Sequence, residues 1–218
     1  MKKVTEREVG RICRLIQDYI YENEKIVLGV SGGIDSDVVA RLCVKALSPD
    51  RVHLFFVVQE GVPEKRCSTV RELADELQCE LSIIDLQKMN IELVHKMHRG
   101  DMKNLNMDSF MDAHRAKCAL RVAIYSLYNE NDFIFCSTTN RTELETGACM
   151  LWGDMLGHIR PIAHLYKTQV YELARLVGTK ENVLSQAPSA DFWEGEDDMD
   201  DLSYMLLNRK QVTGYRRF

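Results

Sequence analysis

Short, nearly continuous apolar runs alternate along this chain with stretches whose apolar residues recur every three or four positions. The runs Ile26-Val27-Leu28-Gly29-Val30, Val52-His53-Leu54-Phe55-Phe56-Val57-Val58, Cys79-Glu80-Leu81-Ser82-Ile83-Ile84-Asp85-Leu86 and Asp132-Phe133-Ile134-Phe135-Cys136-Ser137 predict buried strands. Ahead of the first run, Val9, Ile12, Cys13, Ile16, Tyr19 and Ile20 fall on one helical face, with Thr5 and Glu8 spaced as a capping box. This helix is expected to pack on the sheet or on a partner subunit. Further helices are predicted at 37–47, 64–77, 91–98, 108–128 and 202–207. Another, at 167–177, puts Val170, Leu173, Ala174 and Val177 on one face and Gly178 at its C-cap. Alternating strands and helices predict an α/β fold, in which 1–218 form a single domain. Its parallel twisted sheet has about five strands and is flanked by helices.

Ligands of such sheets gather at the carboxyl ends of the strands. Ser31-Gly32-Gly33-Ile34-Asp35-Ser36 follows the first strand and opens a helix, so backbone N–H groups and the helix dipole face whatever lies on the turn. Gly32 and Gly33 carry no Cβ and let an oxyanion approach the main chain. Ser31 and Ser36 add hydroxyl donors. Asp35 would repel a phosphate unless a cation lay between them, which argues for Mg²⁺. There is neither a Lys-Ser/Thr pair nor a G-x-G-x-x-G pattern here. The end of the second strand, at Val58, is where adenine contacts through backbone groups are expected. Thr138-Thr139-Asn140-Arg141-Thr142-Glu143, directly after the fourth strand, is the second polar cluster at a strand end.

Composition narrows the class. The 218 residues are 45% hydrophobic and 28% charged, as in a globular protein with a sizeable core. A net charge of −5 speaks against a nucleic-acid surface. The polar N-terminal residues predict no leader, and no run reaches the length of a membrane span. The 7 cysteines are scattered and form no CxxC, which suits reduced thiols in a cytoplasmic protein. His95 with His98, and His114 with Cys118, have the spacing of paired metal ligands. Neither pair has a further ligand at a fitting distance, so structural or surface roles are expected.

Ser-Gly-Gly-Ile-Asp-Ser resembles the pyrophosphate loop of the N-type ATP pyrophosphatases, the adenine nucleotide alpha-hydrolase-like fold. Ser-Thr-Thr-Asn-Arg-Thr-Glu at 137–143, Gly153-Asp154, Pro161-Ile162, Leu165-Tyr166-Lys167-Thr168-Gln169-Val170 and Pro188-Ser189-Ala190-Asp191-Phe192-Trp193-Glu194-Gly195 then follow in order. Together they are similar to the ammonia-dependent NAD synthetase family, over most of the chain. That resemblance implies an amide-forming ligase. Members adenylate the nicotinate carboxylate of deamido-NAD with ATP and release pyrophosphate, and ammonia then displaces AMP. It places ATP on Ser31, Gly32, Gly33, Asp35, Ser36, Thr138, Lys167 and Ser189, and Mg²⁺ on Asp35 and Glu143. Asp35 and Lys167 are the residues expected to carry the chemistry by charge. It also implies a homodimer. No glutaminase domain is evident, so ammonia is expected free or from a separate glutaminase.

The chain departs from the family where the acyl substrate is expected. Leu151-Trp152-Gly153-Asp154 stands where the family has Lys ahead of Tyr-Gly-Asp, and His158 where it has Asp. Lys117-Cys118-Ala119-Leu120-Arg121-Val122-Ala123 matches its Asn-x-x-Ala-Arg-x-Arg pattern only in part, and the C-terminal His-Lys-Arg element is absent. Arg121, Trp152, Asp154 and His158 are accordingly the candidates for the acyl-substrate site. Two alternatives stay open at this point: a paralogue that amidates a different carboxylate, and a non-catalytic ATP-binding sensor. Thiolation of tRNA is disfavoured by the acidic charge.

Overall fold

The computed structural model describes residues 3–59, 64–97, 107–147, 149–153 and 155–186. In chain order these form α1 (Glu6–Tyr19), β1 (Lys25–Gly29), α2 (Ile34–Ala46), β2 (Val52–Val58), α3 (Glu64–Leu77), β3 (Glu80–Asp85), α4 (Gln87–Met97), α5 (Met107–Asn129), β4 (Phe133–Cys136), α6 (Arg141–Thr146), α7 (Lys167–Val177) and α8 (Glu181–Leu184). The helix expected at 202–207 lies outside the described residues. No helix among the described residues is long and apolar enough to cross a membrane.

The strands pair in parallel in the order β3-β2-β1-β4. Ile26 sits between Val52 and Ile134, and Leu28 between Leu54 and Cys136. The described sheet therefore has four strands, not the five expected. Beyond β4 the described residues add only a single parallel bridge, Cys136 to Ile159. Pro161 follows two residues later, has no N–H to donate, and the chain turns away. Successive connections lead from β1 to β2 to β3 in one direction, whereas β4 docks on the other side of β1. The winding reverses between β1 and β4, and that gap is where sheets of this kind hold ligands.

Side chains alternate between the two faces of the sheet. Ile26, Leu28, Leu54 and Phe56 join Ile12 and Ile16 of α1, Val38 and Leu42 of α2 and Val170 and Leu173 of α7 in one large, fully buried core. Val27, Phe55 and Phe135 point the other way, onto Ile124, Tyr125 and Tyr128 of α5. Tyr125 stacks on Phe135 with ring centroids 3.7 Å apart. Gly29 gives this packing its room: a Cβ there would lie 3.0 Å from the Tyr125 hydroxyl and 3.1 Å from the Phe55 ring, and one of them would have to shift. On the same face His53 Nε2 lies 3.0 Å from Ser82 Oγ and 2.9 Å from the Tyr128 hydroxyl, tying β2, β3 and α5 together.

The helix ends match the sequence unevenly. Gly178 takes the left-handed conformation (φ 83°) that closes α7. At α1 the expected capping box does not form, because Thr5 makes no side-chain cap bond. Glu8 instead accepts from Arg11 Nη2 at 2.6 Å and contacts His164 Nε2 at 2.6 Å. Those partners, Arg11 first, hold its carboxyl below the usual range. The helix packs within this chain, on α2 and α7.

Two buried polar features flank α2. Arg41 donates to Asp37 at 2.7 Å and, through both terminal nitrogens, to Glu76 at 2.7 and 3.1 Å, and Thr179 Oγ1 donates to Asp37 at 2.6 Å. Arg41 holds the Glu76 carboxyl down at about 2. The thiols of Cys43 and Cys136 touch at 3.8 Å, both fully buried. All seven cysteines are free, as expected, and burial pushes the Cys136 thiol well above its ordinary value.

Candidate functional site

The turn after β1 is shaped by its own residues. Gly32 adopts φ +78°, open to a residue without a Cβ. Ser36 Oγ donates to the Gly33 carbonyl at 3.0 Å and accepts from the Ser31 N–H at 3.2 Å, while the Gly33 N–H donates to Ser31 Oγ at 3.2 Å. The two serines thus stitch the turn shut. Gly33 occupies the N-cap of α2 and offers no side chain to cap it. The first-turn N–H groups of a 13-residue helix therefore face the turn, which is a ready site for an anion.

The cluster after β4 is built differently. Asn140, buried, caps α6: its Oδ1 accepts from the Glu143 N–H at 3.0 Å, and Glu143 Oε2 accepts from the Asn140 N–H at 2.9 Å. Six residues with no apolar stripe gave no helical signal in the sequence, yet this reciprocal cap fixes α6. The Asn140 Nδ2 then reaches across the β1–β4 gap to Asp35 Oδ1 at 3.1 Å. Lys167, the first residue of α7, places Nζ 2.5 Å from Asp35 Oδ2. Its own N–H donates to Thr142 Oγ1 at 3.0 Å, so α6 fixes where α7 begins.

Asp35 is the hub of these contacts, with its two oxygens shared between Asn140 and Lys167. Its side chain is 16% exposed and that of Lys167 21%, so the pair is well screened from water yet reachable. Glu143 belongs to the same assembly, one hydrogen bond from Asn140. Asn140 thus bonds both carboxylates, Asp35 through its side chain and Glu143 through its backbone N–H, and carboxylate oxygens are the donors that suit Mg²⁺, a hard ion that takes a few protein oxygens and completes its shell with phosphates and water. Among the described residues no three His, Cys, Asp or Glu side chains converge into a metal cage. His98 and the His114 side chain lie outside the description.

The remaining expected residues are placed as follows. Thr138 is half-buried in the stretch between β4 and α6. The Val58 carbonyl accepts from the Leu86 N–H at 2.9 Å, continuing the sheet, and the neighbouring Gln59 side chain turns inward to the Lys117 carbonyl at 3.2 Å. Arg121 lies on α5 with Nη2 3.9 Å from Cys118 Sγ. A Cβ on Gly153 would come within 2.9 Å of Cys118 Cβ, so that glycine lets the turn bearing Trp152 rest against α5 beside Arg121. Trp152 itself is 72% exposed. His158 Nδ1 accepts the Phe135 N–H at 3.0 Å and so covers the free edge of β4. Ser189 and Asp154 lie outside the described residues. The residues the sequence left without a role are Asn140 and Thr142. Both stand in the polar run after the fourth strand, and Asn140 three places ahead of Glu143 was the available signal.

The NAD synthase family model matches residues 8–210. The NH(3)-dependent NAD(+) synthetase of Pyrococcus furiosus is 31% identical over 201 residues, covering 90% of this chain and 75% of that protein. Among solved structures, the NMN synthetase of Francisella tularensis superposes with a TM-score of 0.81 at 26% identity, over 92% of this chain and 82% of the other. The NH3-dependent NAD synthetase of Campylobacter jejuni shares the fold with a TM-score of 0.73 at 23% identity, over 94% of this chain and 84% of the other.

Proposed function

The chain belongs to the NAD synthase family, and we propose that it is an ATP-dependent, ammonia-using ligase that converts the nicotinate carboxylate of deamido-NAD into the amide. The observation that carries this reading is Asp35, at the uncapped start of α2, held by Lys167 and Asn140 from the far side of the β1–β4 gap.

The turn 31–36 and the start of α2 receive the ATP phosphates, as N–H groups and a helix dipole do for any anion. Lys167 and Ser189 add charge and a hydroxyl to the phosphates, and Thr138 a contact to the nucleotide. Asp35 and Glu143 would hold Mg²⁺, which would offset charge on the phosphate oxygens. Asn140 keeps the two carboxylates in register. The substrate carboxylate attacks the α-phosphorus and pyrophosphate leaves. Ammonia then adds at the acyl carbon and AMP departs. No side chain needs to act as a nucleophile, because positioning and electrostatic stabilisation of the leaving groups suffice. The acyl-bearing nucleotide is expected near Arg121, the turn bearing Trp152, and His158, with Asp154 the further candidate from the sequence.

The test is pyrophosphate, AMP and amide release from the purified chain with ATP, Mg²⁺ and ammonia. Deamido-NAD and its mononucleotide counterpart are offered side by side, because the NMN synthetase superposes well. Equal yields of amide, AMP and pyrophosphate from deamido-NAD support the proposal. Turnover of the mononucleotide alone makes the chain a paralogue for a different carboxylate. ATP binding with no pyrophosphate from either makes it a sensor. Free ammonia should suffice; dependence on an added glutaminase would identify a separate ammonia source. Light scattering tests the homodimer.

A further inference from the structure

Arg66, on the first turn of α3, lies across the back of the glycine turn. Its Nη1 donates to the Gly32 carbonyl at 3.1 Å and also to Gln186 Oε1. The approach is close: a Cβ on Gly32 would sit 3.2 Å from Arg66 Cδ and 3.4 Å from the Arg66 carbonyl. Gln186 is itself held, its Nε2 donating to the Asn182 carbonyl at 2.7 Å and its carbonyl accepting from the Tyr171 hydroxyl at 3.4 Å. One guanidinium therefore joins the turn to α3 and, through Gln186, to α7 and α8.

A trans peptide is planar, and its C=O and N–H point in opposite directions. Fixing the Gly32 carbonyl toward Arg66 turns the Gly33 N–H away from it, to the side of Ser31 Oγ and the start of α2. Gly32, at φ +78°, would otherwise permit that peptide to flip at little cost. We infer that Arg66 is a positioning residue for the leaving pyrophosphate. It locks the Gly32–Gly33 peptide in the orientation that keeps the Gly33 N–H on Ser31 Oγ and so holds the cradle in shape for phosphate, and it clamps the turn to the unit that carries Lys167. This rests on the ATP-cleaving reading above. The planar guanidinium matters as well as the charge, because it fixes the directions of the two Nη1 N–H bonds, whereas a lysine ammonium rotates freely on a flexible stem.

The experiment compares wild type with Arg66→Ala, Arg66→Lys and Gln186→Leu. Calorimetry with inorganic pyrophosphate and with ATP–Mg²⁺ is run beside steady-state kinetics and melting curves. Arg66→Ala should weaken pyrophosphate and ATP binding about 10- to 100-fold, the range for a hydrogen bond from a charged donor. The KM for ammonia should stay unchanged. Arg66→Lys and Gln186→Leu should fall between, and they keep the test open if Arg66→Ala fails to fold. Pyrophosphate affinity unchanged in all three variants overturns the inference while wild-type turnover leaves the proposed function standing. Loss of ATP and ammonia KM alike, in step with the melting temperature, overturns it too. Wild type that binds pyrophosphate, with the variants weakened, but makes no amide supports the inference and refutes the reaction. Wild type that binds neither pyrophosphate nor ATP removes both.

Discussion

The turn after β1 and the polar run after β4 face the same gap in the sheet, and they are held in opposite ways. In the first, Ser31, Gly33 and Ser36 bond to one another within a few positions of sequence. In the second, Asn140 and Thr142 bond outward, to Asp35 and to the start of α7, at separations of 105 and 25 residues. The first is a preformed cradle, and the second is a joint between elements. A cradle survives the loss of one of its internal bonds because its neighbours replace it, whereas the Arg66 bond reaches the Gly32 carbonyl from outside and has no such substitute. A joint does not, because a single buried amide carries the connection and its loss leaves other groups unsatisfied.

Asp35 belongs to both, so its loss should be the largest effect. Asp35→Asn keeps the shape but takes the carboxylate charge away from Lys167 and from the proposed Mg²⁺ position, and pyrophosphate release should fall about 10³-fold. Asn140→Ala tests the joint: it removes the α6 cap and the link to Asp35 together. The expected fall in kcat is about 10- to 100-fold, with about 1 kcal/mol of stability lost in a denaturant melt. Ser36→Ala tests the cradle and should cost less than about 10-fold in KM for ATP. If Ser36→Ala is as damaging as Asn140→Ala, the distinction between cradle and joint fails.

The smallest effect concerns stability alone, behind the cradle, where Arg41 anchors α2 to Glu76. The Glu76 carboxyl titrates at about 2 in the folded chain against 4.5 ordinarily, chiefly because of its hydrogen bond from Arg41. A lowered folded value means the contribution is fully present above pH 4.5 and lost as pH falls toward 2. Glu76 is partly exposed, so the loss is modest. Acid melts of wild type and Glu76→Gln should converge as the pH drops through that window.

The same contrast explains what could be read from the sequence. The four strands, the glycine turn and α7 with its Gly178 cap were legible because their signals lie in consecutive or periodic residues. Asn140 was not, because its meaning depends on Asp35, brought near only when β4 docks beside β1. The short helices α6 and α8 lack the length for a periodic signal. The Thr5 cap was expected from local spacing, but the Glu8 carboxylate is taken by Arg11 and by His164, far along the chain. The fifth strand reduces to one bridge because Pro161 interrupts the pairing. Where the acyl substrate is proposed to bind, His158 spends its Nδ1 on the β4 edge, a demand invisible without the sheet.

The touching thiols of Cys43 and Cys136 give the molecule a built-in clock. One sits in the last turn of α2, which begins at the cradle; the other ends β4, immediately before the run that forms the joint. Neither sulfur meets solvent while both elements are seated. A thiol-alkylating reagent can therefore modify them only during excursions in which α2 and β4 part. The rate of that modification counts those openings directly. Any ligand that bridges the gap between the two strands must slow it, whether or not a reaction follows.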